Sequence, residues 1–98
     1  MTLNNLALIY ATCTDAQFRN GFRAIQLAKQ ADALSEGKNP SIIRTLAAAY
    51  AETSRFNEAV AEAERALQLG EAQGNSSLAD DVRIDIDLYK LKLPRREH

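Results

Sequence analysis

Few side chains in this sequence could do chemistry. Its one cysteine, Cys13, and its one histidine, His98, stand at opposite ends of 98 residues. A nucleophile needs a base and an orienting group held beside it. Cys13 has no histidine or basic cluster near it in sequence to favour the thiolate, and reads as a small apolar residue at a helix end. A redox role or an intermolecular disulfide is the sharper alternative. His98 closes a short loose tail at 95–98. Asp80, Asp81, Asp85 and Asp87 are dense enough to suggest a metal, but they lack the order of a calcium loop and sit within a helical pattern. Asp80–Arg83 and Arg83–Asp87 have the spacing of helix-surface ion pairs, so a solvated face accounts for them. No glycine-rich phosphate loop or zinc spacing is present. The sequence therefore predicts no catalytic residue, no metal ligand and no cofactor.

Charge narrows the partners. Net charge is −1 with twelve Lys and Arg against thirteen Asp and Glu, so no overall field draws in nucleic acid or a membrane. Lys90, Lys92, Arg95 and Arg96 make one end basic. Without interleaved aromatics they give weak, salt-sensitive attraction, and a solubilising tail is the expectation. No apolar run is long enough to span a bilayer, and no signal peptide is visible, so the chain is expected in the cytoplasm where it is made.

The elements beneath these residues are helical. Two prolines, four glycines and few β-branched residues argue against strands, and the length fits one domain. The clearest stretch is 40–69. Ile43, Leu46, Ala47 and Tyr50 share one helix face, and after a break at Thr53-Ser54-Arg55 so do Ala59, Ala63, Ala66 and Leu67, with Phe56 leading in. Alanine stripes let helix axes approach closely. The pattern returns upstream. Leu3, Leu6, Ala7 and Tyr10 match the first helix at an offset of 40, and Ala24, Ala28, Ala31 and Leu34 match Ala59, Ala63, Ala66 and Leu69 at an offset of 35. Five extra residues thus fall within Cys13–Gly21, where Thr14 or Asp15 is a possible cap, Gly21 lies in the first turns and Phe18 tucks onto the hairpin. Gly37 is a stop, Asn39-Pro40 a start, Gly74 a stop, and Ser76 or Ser77 a cap. Five helices follow, at about 2–12, 16–36, 40–53, 56–73 and 76–92. The last carries one stripe of Leu78, Val82, Ile86 and Tyr89 and, nearly opposite, a second of Ile84, Leu88 and Leu91.

The run Ile43, Leu46-Ala47, Tyr50, Phe56, Ala59, Ala63, Ala66 resembles the tetratricopeptide repeat, with Ser54 in place of the usual turn glycine and no proline ending the second helix. The whole chain resembles bacterial C-terminal segments of that family, through Ala11-Thr12, the long Asp-containing loop, Asn20-Gly21, Ala28 and Ala31, and Asn39-Pro40 before Thr45-Leu46-Ala47-Ala48-Ala49-Tyr50. The resemblance implies an all-α, right-handed superhelical domain over 1–94: a repeat at about 2–37, a second at about 39–73, and a capping helix at about 76–92. It also implies a role in holding other proteins. It places Asn4, Leu8, Ala11, Thr12, Ser41, Arg44, Ala48, Ala51 and Glu52 on a concave partner-binding face. The positions that grip chaperone tails in such domains hold Asn4, Leu8, Thr45, Asn75 and Ala79 here, which excludes that ligand.

A helix that is apolar on two sides expects burial on two sides. Ile9, Ile84, Leu88 and Leu91 are therefore the residues expected in self-association, as a homodimer or an edge-to-edge assembly. The expected function is a non-catalytic protein–protein interaction module that binds a protein or peptide, itself, or both. The alternative is a structural cap of a larger array, without a ligand of its own.

Overall fold

A computed structural model of the chain describes residues 20–94. The helix expected at 2–12, with Asn4, Leu8, Ile9, Ala11 and Thr12, lies outside the described residues, as do Cys13, Phe18 and the tail at 95–98. Within them are four helices and no strand: α1 (Gly21–Leu34), α2 (Pro40–Glu52), α3 (Phe56–Ala72) and α4 (Ser76–Lys90).

The starts follow local chemistry, with two corrections. α1 begins at Gly21, not near 16. Asn20 is extended and its side chain accepts from the Arg23 amide at 3.1 Å, so Asn20 caps the helix rather than Thr14 or Asp15. Gly21 has a packing reason as well. A Cβ there would stand 2.7 Å from Thr53 Cγ2, so the start of α1 presses directly on the end of α2. Asn39 caps α2 as expected, accepting from the Ser41 and Ile42 amides at 3.0 and 3.4 Å, with Pro40 in the first turn. α4 is capped by Asn75, which accepts from the Leu78 amide at 3.2 Å; Ser76 and Ser77 already belong to the helix.

All four helices stop in the same manner. The residue after each C-cap turns left-handed, at Glu36 (φ 58°), Ser54 (64°), Gly74 (73°) and Lys92 (59°). The next amide then reaches back to a carbonyl of the last turn: Gly37 to Asp32 at 3.0 Å, Arg55 to Tyr50 at 2.9 Å, Asn75 to Gly70 at 2.8 Å and Leu93 to Leu88 at 3.0 Å. Glu36 therefore holds the position at which Gly37 was expected to act. A side chain in this conformation crowds its own backbone. Ser54→Gly is expected to stabilise the chain by about 0.5–1 kcal/mol, the relief of that crowding less the extra freedom glycine has when unfolded. Urea unfolding measures it; a lowered midpoint would mean that the Ser54 side chain contributes more than it strains.

Packing follows the stripes. α3 lies against both α2 and α4, α1 lies against α2, and α2 also touches α4. Short links make consecutive helices antiparallel neighbours. Ala59, Ala63 and Ala66 are wholly buried, and Ile43, Ala47 and Val82 with them. Tyr50 is buried with Lys29 Nζ 5.9 Å and Arg55 Cζ 5.0 Å from its ring centre, a cation from α1 and another from the turn after α2. Between α1 and α3 runs Arg65, bonded to Asp32 at 3.1 Å and Glu62 at 2.7 Å. Burial alone would lower the Arg65 pKa, but bonds and charge from Glu62 and Asp32 outweigh it and the net direction is upward.

Candidate interaction surface

The face expected to meet a partner through α2 is largely occupied by the chain itself. Ala48 and Ala51 are core residues, 1% and 2% exposed, and present nothing to a ligand. Ser41 is exposed and Glu52 half-buried. Arg44 was expected to be the one cation offered to a partner. Its Nε instead donates to Asp85 Oδ2 at 2.6 Å and its Nη2 to Oδ1 at 3.3 Å, with the carboxylate side chain 4% exposed. Burial alone would lower the Arg44 pKa; the Asp85 hydrogen bond and charge outweigh it and raise it. A base whose folded pKa is raised keeps its contribution below the unfolded value and loses it only as pH rises through the folded one. The guanidinium is thus charged throughout neutral and mildly alkaline solution.

Asp85 is the residue that periodicity misplaced. It was read with Asp80, Asp81 and Asp87 as part of a solvated face, yet it is buried. A signal was present: Asp85 falls three residues after Val82 and four before Tyr89, on the inward side of α4. An acid there requires a buried donor, which only the fold supplies, from a residue 41 positions away. The rest of the acidic run does behave as surface. Arg83 bonds Asp80 at 2.7 Å and turns to Glu71 of α3 at 3.4 Å rather than to Asp87. Among the described residues, no group of three His, Cys, Asp or Glu is placed to hold a metal ion, and no helix is long and apolar enough to cross a membrane.

α4 presents two unlike sides. Leu78, Val82, Ile86 and Tyr89 are buried against α3 and its neighbours. On the other side Ile84 is 61% and Leu91 71% exposed, with half-buried Leu88 between them. Leu93, 48% exposed, extends the patch past the terminal turn. Asp80 and Asp81 precede this stripe, and Lys90 and Lys92 flank its end, all exposed. Beside it, a shallow groove between α3 and α4 has Leu67 and Ile86 among its walls, with Glu71, Arg83, Asp87 and Lys90 at its polar edge. Ile84 and Leu91 thus remain exposed while Leu88 between them packs partly against the core; of the α2 residues expected on the binding face, Ala48 and Ala51 are buried and Arg44 is paired with Asp85. Two further apolar residues, Phe22 and Leu34 of α1, are exposed singly. Comparison of the chain with protein families, with curated proteins and with solved structures returns no match.

Proposed function

We propose that this chain is a non-catalytic protein–protein interaction module of the tetratricopeptide-like kind, which self-associates through the outer face of α4. One observation carries the reading: Ile84 and Leu91 stand in water on the side of α4 opposite its buried stripe. Exposing such residues in register along a helix costs solubility and contributes nothing to the fold, whereas covering them would contribute roughly 1.5–3 kcal/mol for each side chain. A helix that only closed the end of a larger array would carry polar side chains there, so the cap alternative is disfavoured. The tetratricopeptide-like arrangement is supported by the alanine stripe of α3 seated between α2 and α4, and by Tyr50 closing the end of α2.

Light scattering across a concentration series tests the reading. The wild type is expected to rise above monomer mass as concentration increases, and Ile84→Glu/Leu91→Glu to remain monomeric with unchanged helicity. A wild-type chain that stays monomeric at the highest concentrations would sink the proposal.

A further inference from the structure

The seam between α3 and α4 holds a second surface, which neither Ile84 nor Leu91 lines, and its charges are sorted by end. Two hollows adjoin along it, and Lys90 borders both. The smaller, about 290 Å³, lies at the start of α3, with Phe56, Val60 and Tyr89 as apolar walls. Its charged rim is Lys90 and Lys92, and no acid lines it. The larger, about 570 Å³, continues along α3 past Leu67 and Ile86, and Glu64, Glu71 and Asp87 stand on its rim. Arg83 is already engaged there by Asp80 and Glu71. Glu64, Asp87, Lys90 and Lys92 are all exposed and form no ion pair among the described residues.

We propose that this seam binds the C-terminal end of a partner polypeptide that finishes in a bulky apolar residue and carries a basic residue shortly before it. The terminal carboxylate stands by Lys90 and Lys92, and the last side chain enters the hollow of Phe56, Val60 and Tyr89. The start of α3 favours the same anion. Arg55 makes no side-chain cap bond, so the first-turn amides have no side-chain acceptor. Glu58, the acid of that turn, is held by Arg55 at 2.9 Å. A positive helix end and two lysines beside an apolar hollow suit a carboxylate joined to an apolar side chain. An uncharged segment would leave those lysines unmatched. Direction follows from the far end. Glu64 lies one turn beyond Val60, about 6 Å along the helix, or roughly two residues of extended chain. A Lys or Arg two places before the terminus therefore meets Glu64 and Asp87, and an apolar residue further upstream reaches Leu67 and Ile86. A chain laid the other way would set its carboxylate among three acids.

The reading goes beyond self-association and is tested separately from it. Hexapeptides with the last position fixed in turn as Phe, Leu, Ser or Lys, and the others randomised, are passed over the immobilised full chain. One pool has free carboxylates and a matched pool is amidated. The wild type and Ile84→Glu/Leu91→Glu are both expected to enrich free acids ending in Phe or Leu about tenfold over their amides. Lys or Arg should be favoured two places before the end. Lys90→Glu/Lys92→Glu is expected to abolish the preference for the free carboxylate, and Glu64→Lys/Asp87→Lys the preference for the upstream base. Equal retention of acids and amides, no enrichment, or preferences that survive these reversals would overturn the proposal. A chain that scattering shows to be monomeric, yet selects these peptides, leaves the seam standing while self-association falls.

Discussion

Arg44→Met should lower folding stability by about 3–5 kcal/mol at neutral pH, because it leaves the Asp85 carboxylate buried without the guanidinium that holds it. The opposite half of the pair should matter less. After Asp85→Leu, Arg44 is still 20% exposed along its side chain and can turn its head toward water. The double variant Arg44→Met/Asp85→Leu should recover most of the loss or exceed the wild type, since a buried ion pair rarely outperforms a well-packed apolar one. Denaturant unfolding of all four proteins gives the coupling directly. If both single variants lose less than about 1 kcal/mol, the contact has the worth of a surface pair and the assigned burial is wrong.

Tyr89→Ala is expected to cost about 3–5 kcal/mol, the range for removing a large buried aromatic side chain. Tyr89 is the largest wholly buried side chain among the described residues, 1% exposed in the last turn of α4. Across the interface, Phe56 and Val60 at the start of α3 line a shallow pocket together with Tyr89. The expected result is a lower unfolding midpoint, together with a looser end of α4 seen as faster amide exchange after Asp85. Self-association should weaken as well, since Leu88 and Leu91 sit on the same turns. Preserved exchange rates in α4 would show that Tyr89 fills space without anchoring the helix.

These two residues mark what the sequence could and could not convey. Tyr89 was legible because it completes a spacing with Val82 and Ile86, and spacing alone says which face a residue occupies. Asp85 shares that face but is polar, and a local pattern treats polar as outward. Its placement depends on Arg44, and no local rule links residues so far apart. The alanine stripe of α3 and the Asn39-Pro40 start were legible for the same local reason. Arg55, by contrast, precedes α3 without any side-chain cap bond, so that start rests on packing and on the turn before it. Although spacing did place Ile84 and Leu91 opposite the buried stripe, it could not show that Ala48 and Ala51 would be core. That requires knowing which helices pack together.

The bond from Arg44 to Asp85 joins α2 to α4, whereas α3 is the helix that lies between them in the chain. In a stack where each element feels only its immediate neighbours, the end can peel away and leave the remainder intact. A tie that reaches past the intervening element changes this behaviour. The terminal helix cannot lift off without stranding a charge in the middle of the molecule, so loss of the end and collapse of the centre become one event. Helices so tied are expected to melt as a unit.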